Sequence, residues 1–134
     1  MPDIISIPDI TALYTGLLAI LGIGIGFVCG SLRGKLKINL GDGGNADMLL
    51  AMRRQANFVE YVPMALILIA LAEMNGAPDY AVHGFGLVLL AARVSHAFGL
   101  SNESGQILFR GLGAAVTALV TVVAAIWNIY LFAT

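Results

Sequence analysis

The apolar positions of this chain fall in long unbroken runs and do not alternate with polar ones. Ile10 to Leu32 is 23 residues without a charge, and Gly111 to Thr134 is 24. Each exceeds the roughly 20 residues that carry a helix across a bilayer. Two further apolar stretches lie between them. One, about 48–74, carries Arg53, Arg54, Glu60 and Glu73; the other, about 80–100, carries His83, Arg93 and His96. Asn75-Gly76-Ala77-Pro78-Asp79 separates them, and its Gly and Pro mark a tight turn. The pattern predicts an all-α fold, a four-transmembrane-helix bundle forming one domain over 1–134, with spans near 10–32, 48–74, 80–100 and 111–132. A membrane β-barrel would need residues alternating in and out. The first run is too long for a signal-peptide core, lacks a basic leader and follows Asp3 and Asp9, so it is expected to stay in the mature chain.

Composition sharpens this picture. Of 134 residues, 59% are hydrophobic and 11% charged, seven Lys/Arg against eight Asp/Glu. Mean hydropathy is +0.90. A chain this short has a high surface-to-volume ratio and needs many polar residues to face water. These are too few, which excludes a soluble monomer; the apolar content excludes disorder. A net charge of −1 offers no basic excess for phosphates, so no nucleic-acid partner is expected. Lipid is the remaining solvent. Five of the seven basic residues, Arg33, Lys35, Lys37, Arg53 and Arg54, flank the first connection, and Arg110 follows the third. The positive-inside rule then places connections one and three in the cytoplasm and both termini outside. Tyr80, Trp127 and Tyr130 fall near span ends, as interfacial aromatics do. The lone Cys29 permits no intrachain disulfide and reads as a buried apolar thiol.

Small residues suggest how the spans pack. Gly22, Gly26, Gly30 and Gly34 recur every four positions on one face of the first helix, and such a stripe admits another helix closely. The fourth helix offers Gly111, Ala115, Ala118 and Ala125. Gly41-Asp42-Gly43-Gly44-Asn45 lacks the lysine and preceding strand of a phosphate loop and reads as a turn.

Charged groups at membrane depth are costly and point to function. Arg53, Asn57 and Glu60 stand at i, i+4 and i+7, sharing one face over about 10 Å of helix. Arg93 and His96, at i and i+3, share a face of the third helix. If the two faces meet, Glu60 can pair with Arg53 or Arg93. A polar lock holding the helices in register is the bland explanation. The functional one is a hydrophilic pocket for a small zwitterion, its carboxylates on arginine forks and its ammonium on Glu60. His96 is either a ligand contact or a cap on the cluster; His83 is expected at the outer interface. His83 and His96 are 13 apart with no second carboxylate cluster, so no metal site is expected.

Arg53-Arg54-Gln55-Ala56-Asn57-Phe58-Val59-Glu60-Tyr61-Val62-Pro63 resembles the RxQxNxxEYxP signature of the MAPEG family, the membrane-associated proteins in eicosanoid and glutathione metabolism. Ala92-Arg93-Val94-Ser95-His96 is similar to the matching third-helix element of microsomal prostaglandin E synthase. Leu40-Gly41-Asp42-Gly43-Gly44 and Leu71-Ala72-Glu73-Met74-Asn75-Gly76 look like bacterial members, whose place would be the inner membrane. The resemblance implies a homotrimer that binds glutathione as co-substrate between adjacent subunits, near the cytoplasmic side. By motif position Arg53, Asn57, Glu60 and Tyr61 would contact it from the second helix, Arg93 and His96 from the third, and Arg33 as a looser match. Arg110 falls near the arginine that stabilises the glutathione thiolate, with Arg93 as second candidate for that catalytic role. The implied activity is glutathione transferase or peroxidase chemistry on a hydrophobic small molecule. Leu100 departs from the family, standing where the eicosanoid enzymes carry a tyrosine. Two alternatives follow: a non-catalytic lipid- or thiol-binding scaffold of the same fold, or a small transporter with Glu60 as its coupling carboxylate.

Overall fold

A computed structural model of the chain describes residues 7–98 and 107–133. Four helices follow one another: α1 (Asp9–Leu36), α2 (Ala46–Met74), α3 (Asp79–Phe98) and α4 (Ile107–Ala133). All four are long and apolar enough to cross a membrane. The expected bundle of four spans is therefore present, with longer ends than the apolar runs indicate. α1 continues past Leu32 through Arg33 and Lys35, because helical hydrogen bonds do not stop where hydrocarbon does. The third span stops at Phe98, and Leu100 lies outside the described residues.

Local chemistry sets the ends. α1 stops where Lys37 turns left-handed (φ 55°), its N–H returning to Gly34 O. The first connection, 37–45, then uses positive φ at Gly41, Gly43 and Gly44, the region open to glycine. Asn45 caps α2, its Oδ1 accepting from Met48 N at 3.0 Å. α2 ends in a Schellman-like turn: Gly76 N donates to Glu73 O and Ala77 N to Ala72 O, with Gly76 at φ 88°. Both connections are turns, as their glycines suggest.

The core is thin. Leu18, Phe58, Val62, Ala65, Ile69, Val82, Leu89, Val120 and Ala124 form its centre. Most other large apolar side chains point outward, Ile20, Ile23 and Phe132 among them. In lipid this is the expected arrangement, because burying them against protein brings no hydrophobic gain.

Close approach depends on a few small residues. A Cβ on Gly22 would fall 2.7 Å from the Phe58 ring, and one on Gly86 would collide with the Tyr14 ring. A Cβ on Gly113 would stand 2.6 Å from Ala92 O and 2.8 Å from His96 N, so α4 crosses α3 backbone to backbone there. The glycine stripe of α1 is used only in part: Gly22 meets Phe58 and Gly26 lies near Gln55, whereas Gly30 and Gly34 face open space. Within the chain the expected small face of α4 goes largely unused. Gly111, Ala115 and Ala118 are exposed, and the buried positions are Gly113, Thr117, Val120 and Ala124. α4 is apolar all round, so hydrophobicity leaves its rotation open. The polar Thr117 and Asn128 fix it by turning inward.

The two ends of the bundle differ in charge. The α1 C-terminus, α2 N-terminus, α3 C-terminus and α4 N-terminus form a basic end, the half that carries every Lys and Arg. The opposite, acidic end carries Asp9, Glu73 and Asp79.

Candidate functional site

At the basic end, α2, α3 and α4 enclose a groove of about 440 Å³. Its walls include Ala46, Leu49 and Leu50 from the first turns of α2, then Arg53 and Asn57. His96 enters from α3, and Arg110, Gly111 and Ala114 from α4. Four of the expected site residues, Arg53, Asn57, His96 and Arg110, thus meet in one cavity.

Arg93 lies behind them, 1% exposed. Its Nη1 donates to Asn57 Oδ1 at 2.9 Å, which joins the α2 and α3 faces. Its Nη2 lies 3.4 Å from His96 Nδ1. A guanidinium has donors only, so Nδ1 must accept in that contact and the imidazole proton sits on Nε2. The Phe58 ring lies 5.6 Å from the guanidinium carbon, as in a cation–π pair. Nε is buried without a partner. Arg93 pairs with no carboxylate among the described residues, and only two of the five N–H donors of a guanidinium are used. A buried charge left this incompletely matched is costly as structure.

Helix periodicity explains the assembly. Arg53 and Asn57 project one turn apart from α2. Arg93 and His96 project one turn apart from α3. Gly113 lets α4 lie against His96, which brings Arg110, three residues earlier, to the groove.

The other candidates stand apart. Glu60 is exposed and pairs with neither Arg53 nor Arg93; the amide of Asn57 takes the guanidinium instead. Tyr61 is 46% exposed on the outer surface of α2. Arg33 spends Nη1 on the first connection, donating to Ile38 O (3.2 Å) and Gly41 O (2.9 Å). Among the described residues no three His, Cys, Asp or Glu side chains are grouped as metal ligands. A larger, mostly apolar cleft of about 720 Å³ opens nearby, lined by Ala91, Val94, Ala97, Phe98 and Phe109, with Arg54 and Ser95 as its polar members. It lies one residue from Arg110 along α4, and nothing in the residue pattern marks it, since continuous apolar runs carry no sign of a gap.

The acidic end holds a polar cluster that sequence reasoning missed. Glu73, 6% exposed, accepts from Ile10 N (2.9 Å), Thr11 N (2.8 Å) and Thr11 Oγ1 (2.6 Å). It closes the start of α1, where amides have no helical acceptor and the dipole favours an anion. Nearby, Tyr14 Oη lies 3.1 Å from His83 Nδ1, and His83 is exposed there. Trp127 packs edge-on against Phe85 at 5.9 Å.

The chain is 37% identical over 116 residues to the inner membrane protein YecN of Escherichia coli strain K12, covering 87% of this chain and 88% of that one. The YecN protein of Escherichia coli O6:H1 matches to the same extent. The model of the MAPEG family matches residues 11–130, which takes in all four spans and every residue of the groove. With four membrane-length helices and the motif residues gathered at one end, the chain is an integral membrane protein that belongs to the MAPEG family.

Proposed function

We propose that this protein binds glutathione in the groove at its basic end and delivers the thiolate to a hydrophobic electrophile. The observation that carries the proposal is the cationic groove itself. Arg53 and Arg110 line it with the buried Arg93 behind them, and among the described residues no carboxylate lines it. Glutathione has two carboxylates and a thiol that must lose a proton, so it meets each arginine with an anion.

The chemistry follows from the charges. A thiol with a pKa of about 8.5 is mostly protonated at neutral pH, and only the thiolate is a good nucleophile. A guanidinium within a few ångströms favours the anion. Arg110 is the first candidate for that role, because it is exposed in the groove and free of protein partners among the described residues. Arg93 and Asn57 hold a carboxylate or peptide oxygen, and Arg53 a second carboxylate. In conjugation, the thiolate sulfur forms a bond to the electrophilic carbon, the leaving group departs as an anion, and the thiol proton passes to solvent. In peroxide reduction, two thiols become a disulfide while the hydroperoxide becomes an alcohol and water. An apolar electrophile reaches the groove from the bilayer, without crossing water.

A homotrimer in a bacterial inner membrane, basic end cytoplasmic, suits this reading. Glu60 and Tyr61 are exposed outside the chain's own groove, where they can meet glutathione held against a neighbouring subunit. Glu60 would then supply the carboxylate for the ammonium group. A second reading, a non-catalytic thiol- or lipid-binding member of the same fold, is favoured by Leu100, which removes a hydroxyl that the eicosanoid enzymes carry.

The deciding experiment uses the purified full-length protein in detergent. Calorimetry is expected to show glutathione binding, and chlorodinitrobenzene is expected to be conjugated. Binding without turnover supports the second reading. The absence of binding at millimolar glutathione overturns both the site and its function.

A further inference from the structure

The first connection carries a charge pattern that the groove does not use. No acidic residue occurs between Asp9 and Asp42, while Arg33, Lys35 and Lys37 fall within five positions at the end of α1. Arg33 folds this segment. Its Nη1 holds Ile38 O and Gly41 O, so the chain turns back directly after the helix. Ile38 is drawn inward, packing against the small cluster of Cys29, Met48 and Ala51 and against the backbone of Gly43. The residues on either side are thereby pushed outward. Lys35 and Lys37 are exposed, Leu36 is 37% exposed and Leu40 is 90% exposed. Lys37 is itself the left-handed residue that ends the helix (φ 55°).

Exposed leucines beside exposed lysines, at the mouth of a membrane-spanning helix, match one partner in both chemistries. From these placements we infer that the loop 35–40 is a binding surface for acidic phospholipid headgroups. Leu36 and Leu40 enter the outermost acyl region, and Lys35 and Lys37 take the headgroup phosphates. Arg33 acts only by holding the loop in shape. Compact ammonium groups on flexible stems suit such mobile phosphates as point charges, without the fixed fork that a buried carboxylate would need. Snorkelling lets both lysines bury their alkyl stems while their charges stay at the headgroup level. Near an acidic leaflet each such cation is worth on the order of a fivefold gain in partitioning. Two lysines therefore give about a twenty-fivefold preference for an acidic over a zwitterionic lipid.

The test uses full-length protein in neutral detergent micelles, titrated with phosphatidylglycerol or phosphatidylcholine and followed by native mass spectrometry. Phosphatidylglycerol is expected to bind in preference to phosphatidylcholine. Lys35→Gln with Lys37→Gln is expected to remove that preference, and Lys35→Arg with Lys37→Arg to retain it. Phosphatidylcholine binding and thermal unfolding in detergent should be the same in all three proteins, which shows that the variants fold. Equal binding of the two lipids to the parent overturns the inference, and so does a preference that survives the double Gln variant. Displacement of the lipid by millimolar inorganic phosphate overturns it as well, because it would mean a site for soluble anions. None of these results depends on whether glutathione is the thiol co-substrate.

Discussion

Each end of the bundle buries one charged side chain, and the two are treated differently. At the acidic end, Glu73 accepts three hydrogen bonds from the first turn of α1, all of 2.9 Å or less. At the basic end, Arg93 is more deeply buried yet makes one short bond, to Asn57, and one long contact, to His96. The carboxylate is satisfied by backbone that must be capped in any case. The guanidinium is surrounded by an amide, an imidazole and an aromatic face, none of which neutralises it. Among the described residues the chain fully pairs one buried charge and leaves the other without a counter-ion, which separates a structural tie from the proposed binding site. The largest effects of mutation should divide along the same line.

Glu73→Ala should have the largest effect on stability. It strands two amides and a hydroxyl of α1 in a buried setting, and costs about 3 kcal/mol. Thermal unfolding in detergent reads this directly, and glutathione affinity should not change. A variant that melts like the parent would remove the distinction between the ends. Arg93→Leu should behave in the opposite way. Loss of its charge-assisted bonds should weaken glutathione binding roughly 100-fold, about 2.7 kcal/mol. Its effect on melting should stay within about 1 kcal/mol, because removing an incompletely paired buried charge relieves a desolvation cost. If melting falls as far as in Glu73→Ala while affinity holds, the cluster around Arg93 is a lock between helices and not a site.

Gly113→Ala probes the packing that connects the site to the fold. The added methyl would meet Ala92 O and the His96 backbone, which cannot retreat as a flexible side chain can. An overpacking cost of about 2 kcal/mol is expected. Gly30→Ala is the matched control, because a Cβ there meets nothing within the chain. A loss of stability in the control would locate a neighbouring helix, and hence a second subunit, on the unused part of the glycine stripe.

Sequence reading served the fold and the site unequally, for physical reasons. Lipid requires continuous apolar helices, so four spans could be read from four runs. The candidate site was legible because charged and strongly polar groups are rare at membrane depth: Arg53, Asn57, Arg93 and His96 each stood out, and Arg53, Asn57 and His96 line one groove with Arg93 behind it. Glu60 stood out equally but is exposed, since sharing a helix face does not fix how far a neighbouring helix extends along it. Glu73 was passed over because its partners are backbone amides 62 and 63 positions away, which no side-chain pattern encodes. One indirect sign existed. The acidic end has no Lys or Arg, so a buried carboxylate there could be satisfied only by N–H or O–H donors. In α4 the uniform apolarity concealed the packed face, and Thr117, whose hydroxyl donates to Gly113 O at 2.7 Å, was the marker of it.

The finest distinction lies within the basic end, between the buried Arg93 and the exposed Arg110. Arg93 is held by Asn57, Phe58 and His96 and is already in position before a ligand arrives. Among the described residues Arg110 has no such holders, and it can follow a charge that develops during reaction. Interactions made only in the transition state change turnover, whereas those present throughout change affinity. Arg110→Ala is therefore expected to lower kcat about tenfold, some 1.4 kcal/mol, with a much smaller rise in the glutathione dissociation constant. Arg110→Lys should recover part of the loss, because a charge alone still favours the thiolate while the planar fork is gone. Steady-state kinetics with chlorodinitrobenzene and calorimetry on the same preparations separate the two quantities. An unchanged kcat in Arg110→Ala would pass thiolate stabilisation to Arg93, and the groove would then depend on one buried arginine for both binding and chemistry.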